Sequence, residues 1–80
     1  MCRSIHTLYN TEPPATQKEI RAASVQFVRK VSGYNKPSKI NELAFIHAVD
    51  EIEAACTRLL AELETSAPAR ERSLGVSTRS

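Results

Sequence analysis

Eighty residues, 41% of them hydrophobic and 25% charged with a formal net charge of +2, describe one small domain with a modest core. Such a core supplies no more than ~3–5 kcal/mol without staples or self-association. The charge is too weak to imply nucleic acid by itself, no apolar run approaches the roughly 18 residues of a membrane span, and the opening residues, with one arginine and no apolar stretch, do not read as a signal peptide. A cytoplasmic setting follows as the default, in which Cys2 and Cys56 are expected as free thiols rather than a disulfide.

In chain order, RSIHTLYN places Ile5, Leu8 and Tyr9 at i, i+3, i+4 spacing, which predicts a short helix or turn. The two prolines of EPP then rule out a continuing helix. Thr16 stands three residues before Glu19, a capping box in which each side chain satisfies a backbone amide left open at a helix start. The helix so opened should run over 17–32, with Ile20, Ala23, Ser24, Phe27, Val28 and Val31 on one face and Gly33 as the left-handed residue that ends it.

After the loop GYNKPS, Ser38 is placed to cap a second helix over about 39–64. Phe45, Val49, Ile52, Cys56, Leu59 and Leu63 alternate spacings of four and three residues, a heptad seam. Leu43, Ala48, Ala55 and Leu60 widen that seam into a core-facing stripe. On this reading Phe27 and Phe45 meet across the helix pair, and truncating either to alanine should cost about 3–5 kcal/mol. Residues 65–80 are small and polar without periodicity and read as a disordered tail. The fold class is all-α: one domain over 1–64, two antiparallel main helices, and an N-terminal segment bracing them.

Three groups of residues carry chemistry worth weighing. Two cysteines and two histidines invite a zinc site, but His47 and Cys56 lie nine residues apart on one predicted helix and therefore on opposite faces, so no metal site is expected. Cys2, once Met1 is removed, sits beside its own ammonium and Arg3, which favour thiolate; His6 is the nearest base, making Cys2, Arg3 and His6 the candidate thiol site. The bland reading makes Cys2 an apolar anchor on the same inward stripe as Ile5 and Tyr9. The third group is a basic knuckle of Arg29, Lys30, Tyr34, Lys36 and Lys39, with the helix start at Ser38 offering amides to an anion. Its bland counterpart is complementary charge between a basic first helix and an acidic second one.

The segments MCRSIHTLYN, EPPATQKEIRAASVQFVRKVSG, KPSKINELAF and AVDEIEAACTRLL resemble a bacterial family, domain-of-unknown-function family twenty-two seventy-seven, from Met1 to about Leu63. Members typically open Met-Cys-Arg-Asn-Ile, so Ser4 departs from the pattern. The resemblance implies a bacterial cytoplasmic setting and brings no activity with it. Ala15, Thr16, Glu19, Ile20, Arg21, Ala23, Phe27 and Lys30 are also similar to a J-domain co-chaperone scaffold. Its His-Pro-Asp motif is replaced by Ser32, Gly33 and Tyr34, which implies no stimulation of a chaperone ATPase. The function expected is a non-enzymatic protein-binding or adaptor module with no cofactor, an unidentified protein partner, and a homodimer formed through the seam. The competing readings are a thiol-based redox or metal protein using Cys2, and a nucleic-acid-associated protein using the 29–39 knuckle.

Overall fold

The computed structural model describes residues 5–71. Most of them lie in two helices, α1 (Gln17–Ser32) and α2 (Glu42–Glu62), flanked by two-residue strands β1 (Thr11–Glu12) and β2 (Arg70–Glu71). The radius of gyration, 14.7 Å, exceeds the roughly 11–12 Å of a compact chain of this length. The molecule is open rather than closely balled.

Local chemistry sets both ends of α1. The Glu19 amide donates to Thr16 Oγ1 at 3.2 Å and the Thr16 amide donates to Glu19 Oε1 at 2.8 Å, closing the capping box. At the other end Gly33 takes φ 83°, and its amide donates to the Arg29 carbonyl at 2.9 Å. A Cβ placed on Gly33 would meet nothing within 4 Å, so only the backbone angle demands glycine there.

The second helix starts later than Ser38 implies. Lys39–Asn41 forms a single 3-10 turn, with the Asn41 amide donating to the Ser38 carbonyl at 2.9 Å. Ser38 Oγ accepts from the Asn41 side-chain amide at 2.9 Å instead of capping the backbone. The asparagine therefore draws the serine hydroxyl away from the role expected of it.

Ile20, Ser24 and Val28, at i, i+4, i+8, form the buried spine of α1. Val49 of α2 is 1% exposed, as is Ser24. The serine hydroxyl donates to the Ile20 carbonyl at 2.9 Å, so a small polar residue sits in the helix contact with its hydrogen bond satisfied within its own helix.

On α2 the covered stripe runs Phe45, Val49, Ile52, Cys56 and then Leu60; the expected Leu59 and Leu63 are exposed. A straight helix repeats every 3.6 residues, so a strict heptad drifts about 20° per repeat and leaves the contact unless the pair supercoils. Leu63, moreover, lies past the helix as its extended C-terminal cap, with φ −74° and ψ 146°. Phe27 and Val31 are exposed too, at 47% and 70%, against the expectation that they fill the core.

The ends of the described chain also differ from expectation. Residues 5–8 are not helical, and the chain turns at Tyr9–Asn10, where Asn10 adopts φ 54°. From residue 65, where an unstructured tail was expected, the chain returns to this turn. The Asn10 side-chain amide donates to the carbonyls of Ala67 and Pro68 at 3.2 and 3.1 Å, and the Arg70 amide donates to the Asn10 carbonyl at 2.8 Å. Thr11 pairs with Arg70 and Glu12 with Glu71 in a parallel ladder, with Thr11 buried beneath it. A mainly helical chain thus carries a minimal parallel sheet.

Identical truncations at Val49 and Val31 separate the true core from the expected one. In dilute solution Val49→Ala should cost about 2 kcal/mol and Val31→Ala within ~0.5 kcal/mol, read from urea midpoints. Equal losses at the two sites would refute this packing. Separately, Gly33→Ala should cost roughly 1–2 kcal/mol through the left-handed angle alone, with Gly33→Asn costing less in the same titration.

Candidate functional site

The two flanks of the helix pair differ in chemistry. On one, Arg21 Nη1 reaches Asp50 Oδ1 at 2.9 Å and Glu53 Oε1 at 2.6 Å. Gln17 Nε2 donates to the second Glu53 oxygen at 2.6 Å and to Thr57 Oγ1 at 3.0 Å, while the Thr57 hydroxyl donates to the Glu53 carbonyl at 2.9 Å. The Glu53 carboxylate is held below its ordinary range, first by the amide of Gln17 and then by Arg21. Arg21 is raised in turn, chiefly by its hydrogen bond to Asp50 and next by that to Glu53. This is the complementary charge expected of a basic first helix against an acidic second one.

The other flank is apolar and open. A groove of about 310 Å³ lies where α1 ends, lined by Phe27, Val28 and Val31 from α1, by Ser32, Tyr34 and Asn41 from its end and the following turn, and by Ala44, Phe45, Ala48 and Ile52 from α2. Tyr34 is held at its mouth, its hydroxyl accepting from the Asn41 side-chain amide at 3.4 Å. Phe27 and Val31 line the groove and stay exposed instead of being buried against α2.

The candidates from the sequence are scattered. Cys2 and Arg3 lie outside the described residues, and His6 is exposed. The helical stripe invoked for Cys2 has no counterpart over residues 5–8, which are not helical. Of the basic knuckle, Arg29 is turned inward on its own loop: its Nε donates to the Asn35 carbonyl at 3.0 Å and its Nη1 to Gln26 Oε1 at 3.3 Å. Tyr34 belongs to the groove. Lys30, Lys36 and Lys39 are exposed and make no ion pair among the described residues. The helical amides expected at Ser38 begin instead at Glu42, whose own carboxylate occupies the first turn and disfavours a second anion there. His47 is exposed and Cys56 half-buried, and among the described residues no three His, Cys, Asp or Glu side chains converge.

Reading the stripes as core concealed the groove. Its signal was present in a second heptad run, Phe45, Ala48, Ile52, Ala55 and Leu59, which overlaps the first. One short helix cannot cover both runs.

The family model for an uncharacterised conserved protein, DUF2277, matches residues 1–77. The chain belongs to that family. No curated protein matches it, and no solved structure does. The family is uncharacterised and assigns no chemistry to any of these residues. No helix among the described residues is long and apolar enough to cross a membrane.

The depressed Glu53 carboxylate makes stability depend on acid. Its folded-state value lies below the unfolded one, so its contribution is complete above the ordinary glutamate value of about 4.5 and is lost as the pH falls through the lowered value. Urea titrations across that window should show the native protein weakening more steeply toward acid than Glu53→Gln. Parallel curves would remove the carboxylate from this role.

Proposed function

We propose that this chain is a non-enzymatic protein-binding module whose docking face is the open flank of an antiparallel helix pair. The observation that carries the reading is an imbalance. Among the described residues only Ile20, Val28 and Val49 form the buried apolar core, while Phe27, Val31 and Tyr34 stand exposed around one groove and Ile40, Leu43, Ile46, Leu59 and Leu63 are exposed outside it. Exposed apolar surface gathered into a continuous patch marks an interaction site, whereas scattered single residues do not. A core so small is also expected to gain stability from an associated surface.

Three sets of neighbours support the antiparallel direction. Gln17 meets Glu53 and Thr57, Arg21 meets Asp50 and Glu53, and Phe27 and Val31 share the groove with Ala44, Phe45 and Ala48. Ascending numbers on one helix meet descending numbers on the other. The J-domain likeness belongs to this reading as a scaffold only, since Ser32, Gly33 and Tyr34 stand where the His-Pro-Asp motif would be.

Val31→Asp tests the docking face, because so exposed a position tolerates the charge without loss of fold. Immobilised wild-type protein should retain partners from a lysate of the source organism that the variant retains roughly tenfold less well. Circular dichroism should report the same helix content for both. An identical set of partners on both proteins defeats the assignment.

A further inference from the structure

Resting on that docking reading, we infer that the occupant of the groove is a second copy of this chain, paired α2 against α2 in opposite directions about a two-fold axis near Ile52, with Leu59 of each copy seated in the groove of the other.

Phe45, Ala48, Ile52, Ala55 and Leu59 follow spacings of three, four, three and four, the seam of a two-helix coiled coil. This run shares Phe45 and Ile52 with the stripe that packs on α1, both only half-buried there, while Ala55 and Leu59 are exposed, so it remains at least partly uncovered along its whole length. Ile40 in the preceding 3-10 turn and Leu43 and Ile46 at the start of α2 are also exposed, but no heptad continues from them along the helix.

The seam carries a hollow at one end, between Phe27 and Ala48, and an uncovered knob at the other, Leu59 at 53% exposure. Phe45 and Leu59 are fourteen residues apart, about 21 Å along the helix, and Ile52 is midway. Rotation by a half-turn about Ile52 places each Leu59 opposite the partner's Phe45, so both hollows are filled by one operation, as a self-complementary interface requires. The small side chains of Ala48 and Ala55 let the two α2 backbones approach.

Charge fixes the direction. Lys30 precedes the groove-lining Val31 and Lys39 lies in the turn that carries Asn41, both exposed and without ion pairs among the described residues, with Glu42 the one acid in the first turn of α2; Glu62 and Glu64 stand at the Leu59 end. With the axis at Ile52, opposite directions bring Glu62 of one copy to the level of residue 42 of the other, three residues from Lys39, whereas a parallel pairing would set Glu62 and Glu64 against their own copies.

Sedimentation equilibrium on the purified protein, from about 1 to 200 µM, reads the association directly. A concentration-dependent dimer is expected. Ala55→Glu and Leu59→Asp, both at exposed positions, should each weaken it at least about tenfold while leaving helix content unchanged. Glu62→Lys and Lys39→Glu should each weaken it about two- to fivefold at low salt, and the double variant should recover most of the loss. A monomer throughout, with Val31→Asp still losing its lysate partners, overturns the second copy and leaves the docking face standing. A dimer indifferent to Ala55→Glu and Leu59→Asp overturns the seam. A dimer they break but the double charge exchange does not rescue overturns the antiparallel direction.

Discussion

The contact of Val49 with the spine Ile20, Ser24 and Val28 orders everything else in this molecule. Ser24 presents almost no bulk at the contact, and its hydroxyl is already bonded to the Ile20 carbonyl, so burial leaves no polar atom unpaired. Once that contact sets the rotation of each helix, the remaining faces are determined. Arg21 and Gln17 fall beside Glu53, while Phe27 falls on the other flank. Solvent-exposed ion pairs add little stability. Their consequence here is selective, because the polar flank is closed by matched partners and the apolar flank is left uncovered.

Features written in neighbouring residues were legible in the sequence. The bounds of α1 coincide with its capping box and with Gly33 because both signals act within one helical turn. The start of α2 was less legible, since Ser38, Asn41 and Glu42 all compete to begin it and the outcome depends on which amide reaches the serine hydroxyl. The seam of α2 was half legible. Its apolar residues were visible, but which of Leu59 and Leu60 faces α1 depends on helix twist and on the reach of a shorter partner. The ladder of β1 with β2 was not legible, because two residues per strand carry no period and Thr11 finds Arg70 far along the chain.

Charge shows the same division. Counting side chains identifies a basic stretch from Arg29 to Lys39, yet only geometry reveals that Arg29 is spent on Asn35 and Gln26. Lys30, Lys36 and Lys39 stay exposed and make no ion pair among the described residues. Composition thus locates the charge, and geometry decides which of its members is already engaged.

The ladder at Asn10–Glu12 makes the described chain a closed ring, with both helices inside the circuit and a few hydrogen bonds as its clasp. The pairing of α1 with α2 spans only the short 33–41 connection, whereas the clasp must gather residues separated by nearly the whole described chain. Contacts of such separation form late and open early. The molecule therefore has two levels of opening. The clasp can release, wetting Thr11 and freeing residues 65–71, while the helical hairpin with its groove persists. The clasp and the helix contact are held by separate sets of residues in one small chain.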